Sequence, residues 1–241
     1  MALKYLGFSI DGGEKIQIKT IFLPALLVVC ASTLLFSCGT VPQQTYLGKG
    51  EVSKFNAVAV NVSSADLDVR YLKEKALWTP GLLGWIEYGV RSSMDQTHAK
   101  DIKNATGEFY IGKLFGNYFL EDLKRANQFK IIDFVDNLDI SNYKNLRQKG
   151  YNAAIELNIN KLSLKPGIGA KLLKGYVEIW SKMVDLGKEE VVWSRPLATV
   201  SDEQYTIDEY KADGCQVFKD LVDKMLKKAA YKLTNDIIYS R

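Results

Sequence analysis

The chain has 241 residues, 47% hydrophobic and 25% charged, which are the proportions of an ordinary globular domain and not of a disordered or collagenous chain. Its 32 basic and 28 acidic residues are mixed along the sequence and leave a net charge of +4, too weak a field to argue for a nucleic-acid partner. Three cysteines and one histidine are too few, and too widely spaced, for a disulfide framework or a zinc cluster.

The first segment has the zones of a secretory signal. Lys4, Lys15 and Lys19 precede an apolar run from Ile21 to Phe36, and the small residues Ser37, Cys38 and Gly39 follow it. A membrane-spanning helix needs about 20 apolar residues. This run is shorter, carries Pro24 and gives way to a polar Gly-Thr-Val-Pro-Gln-Gln stretch. Leu35-Phe36-Ser37-Cys38 resembles the lipobox of bacterial lipoprotein precursors. The resemblance implies a removed signal peptide over residues 1–37 and a diacylglyceryl group on the Cys38 sulfur. It also implies a lipidated tether over 38–54 and a periplasmic domain over 55–241. Gly39 in place of aspartate behind the cysteine resembles a sorting signal for the outer membrane, so the implied location is its periplasmic face. One acyl chain binds a bilayer only reversibly, at about 0.8 kcal/mol per buried methylene, whereas the two or three chains of such lipoproteins anchor permanently. Cys30 would leave with the signal and Cys38 would be acylated. Cys215 then remains as the lone thiol, expected to be a buried small apolar group in a helix.

Beyond the tether, Phe55 to Val62 alternates, with Val58, Val60 and Val62 on one face, and predicts a strand. Leu67 to Ala76 reads as a short helix or an irregular charged segment, and Trp78 to Gly89 as a Pro/Gly-rich stretch loaded with aromatics. Ile111, Leu114, Phe115, Tyr118 and Leu123 recur at helical spacing, predicting a helix over 108–127 capped by Thr106. Gly112 and Gly116 on it predict a close helix-to-sheet contact. A short strand over 129–134 and a polar helix over 139–149, with Ile140, Tyr143 and Leu146 inward and Gly150 as its stop, come next. Tyr151 to Leu164 is a long strand whose alternation slips at Asn160-Lys161, predicting a bulge. Strands over 176–186 and 189–200 follow, with turns at Pro166 to Gly175 and at Gly187-Lys188, then a connector over 201–205. Residues 207–239 are helical, with Phe218, Val222, Met225, Ala229, Leu233 and Ile237 inward, and Asp213-Gly214 either interrupts or starts the main helix. The sum is an α+β fold: a mixed sheet of about five strands packed by two or three helices.

Three passages carry a family resemblance. Leu120 to Asp133 runs a leucine-rich helix into Phe129-Lys130-Ile131-Ile132-Asp133. Gly150-Tyr151-Asn152-Ala153-Ala154-Ile155-Glu156-Leu157 is a strand behind a second helix. Val177 to Ser194 is a hairpin turning at Asp185-Leu186-Gly187-Lys188 and ending in Trp193-Ser194. Together they resemble the small α/β domain of the TolB amino terminus, the curli-secretion lipoproteins and the lipoprotein activators of penicillin-binding proteins. That resemblance implies a fold, and a fold does not transmit function. The long membrane-spanning hairpins of the curli channels have no counterpart here.

No motif in the sequence carries catalysis. His98 reads as a solvated loop histidine, with no nucleophile elbow, phosphate loop or dinucleotide fingerprint elsewhere. Gly167 and Gly169 suit a hairpin turn, and Asp66 and Asp68 a solvated strand end. The expectation is no cofactor, no metal and no enzymatic activity. The strongest candidate for a contact with a partner or with the membrane is Trp78, Leu82, Leu83, Trp85, Ile86 and Tyr88, because tryptophan and tyrosine join an apolar body to a polar tip. The leading expectation is a lipoprotein docking onto an envelope assembly or secretion component, or onto itself as a homo-oligomer. The alternatives are an auxiliary lipoprotein of lipid or lipopolysaccharide transport and, behind it, an envelope hydrolase.

Overall fold

The computed structural model describes residues 44–48, 50–70, 82–107, 109–135, 143–169 and 171–239; of residues 82–85, 87 and 88 it describes the backbone, with Ile86 complete. Cys38, Trp78 and Ile140 lie outside the described residues. The strands are β1 (Ala57–Ser64), β2 (Leu67–Val69), β3 (Ile131–Phe134), β4 (Ala153–Pro166), β5 (Leu173–Asp185) and β6 (Glu190–Tyr205). The helices are α1 (Leu82–Thr106), α2 (Ile111–Ala126), α3 (Tyr143–Gln148), α4 (Ile207–Lys211) and α5 (Gln216–Ile238). All six strands form one mixed sheet in the order β3-β1-β4-β5-β6, with β2 also paired to β4.

The two halves of the sheet are wired differently. β1 runs parallel to both β3 and β4, with Val58 opposite Ile132 and Val60 opposite Ile155. Parallel neighbours need a crossover, and the chain between β1 and β3 supplies it with helices. β4, β5 and β6 are an antiparallel meander closed by tight turns. Alternation sends Ile155, Leu157, Ile159, Val177, Ile179 and Met183 to one face, where all are buried. Phe115, Phe119 and Leu123 of α2 and Phe218, Val222, Leu226 and Leu233 of α5 close over that face and complete the main core. Each such side chain contributes about 1.5–3 kcal/mol on burial. The bulge sits where the phase slip predicted it. The register of β4 against β5 shifts between Ile159 and Lys161, which returns Leu162 and Leu164 to the helix side.

Polar ties lock the helices to the sheet and to each other. The Trp193 Nε1–H donates to Asp236 Oδ2 at 3.1 Å, linking β6 to α5. The buried Tyr210 hydroxyl donates to the Leu173 carbonyl at 3.0 Å, pinning α4 to the start of β5. Between α2 and α5 the Tyr118 hydroxyl donates to Asp223, which also takes the Lys227 ammonium at 2.8 Å. Burial opposes charge on Asp223, but the bonds from Lys227 and Tyr118 outweigh it and hold the carboxyl below its ordinary range.

Several elements differ from the sequence reading, each for a physical reason. Leu67–Val69 is a strand because β4, beyond its bulge, offers a free parallel partner there. The stretch from Leu82 is helical and continues to Thr106, although Gly84 and Gly89 weaken it locally; packing of Ile102 and Ala99 against the core overrides propensity. His98 therefore lies on a helix, half-buried, and not in a loop. Thr106 ends α1 and its Oγ1 donates to the Lys103 carbonyl, so it caps nothing; α2 starts behind Tyr110, which makes no side-chain cap. β5 begins at Leu173, inside the expected turn, and the expected connector 201–205 is the last stretch of β6. The break at Asp213-Gly214 is present, with φ of 50° and 64°, and Cys215 shares it at φ 64°. The start of α4 is fixed by a reciprocal cap: Thr206 Oγ1 accepts from the Glu209 N–H at 3.3 Å, and Glu209 Oε2 accepts from the Thr206 N–H at 2.7 Å. Residues expected in the tether are also part of the packed domain, with Leu47 and Val52 buried and Thr45 bridged to Ser194 of β6.

The glycine pair on α2 makes the expected close contact. A Cβ on Gly116 would stand 2.7 Å from the Phe134 ring and 3.3 Å from Val62, whereas one on Gly112 would come no closer than 3.3 Å, to Ser64 Oγ, with Val62 at 3.7 Å. We expect Gly116→Val to cost about 2 kcal/mol through overpacking, and Gly112→Ala less than about 1 kcal/mol, in urea denaturation. The Tyr151 hydroxyl donates to Asp133 Oδ2 at 2.7 Å, tying the edge strand β3 to the start of β4. That bond, with burial, pushes the phenol up to about 12. Between its unfolded value near 10 and about 12 the native state binds more protons than the unfolded one, so this contribution is present at neutral pH and lost as pH rises through that window. Asp133→Asn should bring the Tyr151 phenol down in a spectrophotometric titration and remove that part of the alkaline destabilisation.

Candidate functional site

Two surfaces stand out among the described residues. The first is α1, where the predicted contact residues gather. Leu82, Leu83, Trp85, Ile86 and Tyr88 all fall on its first turns. The core side of the helix is marked by Asp95 and Ile102, both fully buried, and by Ala99. Off that side Ile86, Val90 and Met94 recur every four residues, and they are 59%, 58% and 49% exposed. Residues four apart lie one above another on a helix, so these three form a continuous apolar stripe facing outward. Sequence reasoning found its first member but stopped at Tyr88, because Trp78 to Gly89 was read as irregular. Once the segment is helical, Val90 and Met94 follow from Ile86 by spacing alone. Ion pairs help seat the helix: Lys103 reaches Asp66 at 2.7 Å and Lys211 of α4 reaches Asp101 at 2.6 Å. The Lys211 bond holds the Asp101 carboxyl below its usual range.

The second surface is the sheet face opposite the main core. Near β1 it is covered: Leu146 of α3 and Leu186 of the β5–β6 turn pack on Ala59 and Ala154. Over β4, β5 and β6 it carries side chains in rows set by the strand register. Glu156, Lys182 and Ser194 make one row, which the Thr45–Ser194 bridge extends. Asn158, Trp180 and Pro196 make the next. A cleft of about 530 Å³ opens here, lined by Glu156, Asn158, Trp180, Lys182 and Val191. Lys182 Nζ and Glu156 Oε2 are 2.9 Å apart, and Trp180, 41% exposed, donates its Nε1–H to Glu178 Oε1 at 3.2 Å. Sequence reasoning missed this face. Its signal is the alternation Tyr176, Glu178, Trp180, Lys182, the outward half of a strand for which the sequence reading assigns no faces.

The residues weighed for chemistry are dispersed. Asp66 and Asp68 serve separate ion pairs, with Lys103 and Arg70. Gly167 and Gly169 belong to the β4–β5 turn. The Cys215 thiol is buried, and burial pushes its ionisation up, away from the reactive thiolate. Among the described residues no group of three His, Cys, Asp or Glu could hold a metal ion, and no helix is long and apolar enough to cross a membrane.

No protein-family model matches this chain, and no curated protein does. Solved structures to which the chain shows similarity include the PelC dodecamer of Paraburkholderia phytofirmans, at 13% identity and TM-score 0.35, covering 77% of this chain and 93% of that one. A protein of Xanthomonas campestris gives 10% identity and TM-score 0.40, with 80% and 85% covered. A minor lipoprotein of Acinetobacter baumannii gives 11% identity and TM-score 0.34, with 75% and 92% covered.

Because Ile86, Val90 and Met94 point away from the core, replacing all three with glutamine should leave the folded domain intact. The expected change in unfolding free energy is within about 1 kcal/mol in total, measured by denaturant titration. A loss of several kcal/mol would mean that the stripe is packed and not free for a contact.

Proposed function

We propose that this protein is a non-enzymatic lipoprotein of a bacterial cell envelope. A lipid on Cys38 holds it at the periplasmic face of the outer membrane, and its α+β domain docks onto an envelope assembly or secretion component. The observation that carries the reading is Leu35-Phe36-Ser37-Cys38 at the end of an apolar run preceded by three lysines. The outward stripe of α1 supports the docking part. Exposed aliphatic groups in one line are disfavoured on a surface that meets only water, and they match the helix-in-groove mode of recognition. The non-enzymatic part is supported by the state of the two residues most often used for covalent and acid–base chemistry. Cys215 is a buried thiol with raised ionisation, and His98 is half-buried on α1 with its Nδ1 unpartnered among the described residues.

Metabolic labelling with an alkynyl palmitate analogue tests the anchor. The wild-type chain should take up label and run as the processed form, and Cys38→Ala should do neither. Continued labelling and processing of Cys38→Ala would remove the basis of the reading. Docking is read separately, by a photo-crosslinking amino acid placed at Val90 in intact cells. A discrete adduct that the Ile86, Met94 double glutamine variant loses is the expected result.

A further inference from the structure

The α1 stripe does not account for the second surface, which poses its own chemical question. Trp180 is the largest side chain lining the cleft, among polar groups and Val191, and its ring is bonded from Nε1 to Glu178. A ring already fixed loses little rotamer entropy when something stacks on it. Around it the register places an amide, a carboxylate and an ammonium: Asn158 directly across on β4, Glu156 and Lys182 one row away. Glu156 directs Oε2 to Lys182, and its Oε1 is buried beside Tyr143. The Thr45–Ser194 bridge and Val191 bound the cleft on the β6 side.

The composition of this cleft selects its ligand. An anion in the cleft would meet the Glu156 carboxylate, and the Lys182 ammonium opposite it is already paired. An acyl chain would desolvate the Glu156–Lys182 pair and the Asn158 amide without giving any hydrogen bond in return. A second copy stacking its own sheet here would bury the same charges face to face. A pyranose ring meets every requirement. Its C–H edge is electropositive and suits the negative face of an indole. Its hydroxyls both donate and accept, so they can use the Asn158 amide, the Glu156 carboxylate and the Lys182 ammonium together. The cleft volume of about 530 Å³ lies within the range of small-ligand sites. We infer that the open face of β4, β5 and β6 binds a pyranose sugar of a glycan, stacked on Trp180 and hydrogen-bonded by Asn158, Glu156 and Lys182.

This inference does not depend on lipidation of Cys38, so the palmitate experiment and the one below fail independently. The full-length ¹⁵N-labelled protein, purified in detergent, is titrated in turn with chitotriose, maltotriose and inorganic phosphate, and the Trp180 indole N–H cross-peak is followed. The cross-peak is assigned by its loss in Trp180→Phe. A saturable shift of Trp180 and Asn158 with at least one trisaccharide, and none with phosphate, is the expected result. Preference for chitotriose would point to an N-acetylated glycan backbone and preference for maltotriose to a neutral glucan. Trp180→Ala should weaken binding about tenfold or more, and Trp180→Phe, which keeps an aromatic face, less. No response to either trisaccharide, an equal response to phosphate, or unchanged affinity in a folded Trp180→Ala would overturn the inference.

Discussion

Strand β4 is the constraint on which the rest of the structure depends. It is the junction between a parallel half, β3, β1 and β2, and an antiparallel half, β5 and β6. A strand in that position must satisfy two hydrogen-bonding geometries at once and present an apolar face along fourteen residues. The bulge at Asn160 lets it do so. Without the slip, Leu162 and Leu164 would turn away from α5 and the main core would lose its far end. The parallel half follows from the same arrangement. β1 is buried between two parallel neighbours, so the connections leaving it must cross a face, and α2 crosses close enough that Gly116 touches the Phe134 ring position.

Crossovers on one face leave the other to be managed separately. The small helix α3 and the β5–β6 turn cover its β1 side through Leu146 and Leu186. On the meander side the strands carry Glu156, Asn158, Tyr176, Glu178, Trp180 and Lys182 outward, with no such cover among the described residues. Antiparallel sheets commonly show one dry and one wet face, and here the wet face carries a fixed indole among polar groups. The long edge strand β6 is also managed. Thr45 pairs with Ser194, and two residues on, Pro196 occupies an edge position with no N–H to offer a neighbouring chain.

The legible parts of the sequence were those where one physical signal acted alone. The strand alternation of Val58 and Val60, the phase slip at Asn160-Lys161, the α2 stripe with its glycines and the break at Asp213-Gly214 are all local patterns with a single reading, and the structure contains each of them. The misread parts were those where local and tertiary signals disagree. Gly84 and Gly89 argue against a helix, and α1 forms because Ile102 and Ala99 have a core to enter. Ser201 to Tyr205 are polar enough for a loop, yet they continue β6 because β5 lies beside them with Lys174 opposite Gln204. Leu67–Val69 is too short to announce itself and exists only because β4 is there to pair with it.

The same division holds for the candidate sites. The lipobox-like Leu35 to Cys38 is a linear motif, read by spacing and residue type, and the sequence alone specifies it. The α+β class, the meander and the inward faces of β1 and β4 are likewise determined by periodicity, because burial of one face imposes a period on the chain. Neither contact surface could be determined that way. The outward stripe of Ile86, Val90 and Met94 exists only relative to which side of α1 the core claims. The Trp180 cleft exists because strand register brings Asn158 opposite Trp180 and Glu156 opposite Lys182. Register and cover are properties of pairing between distant segments, so they were decided by the tertiary structure alone.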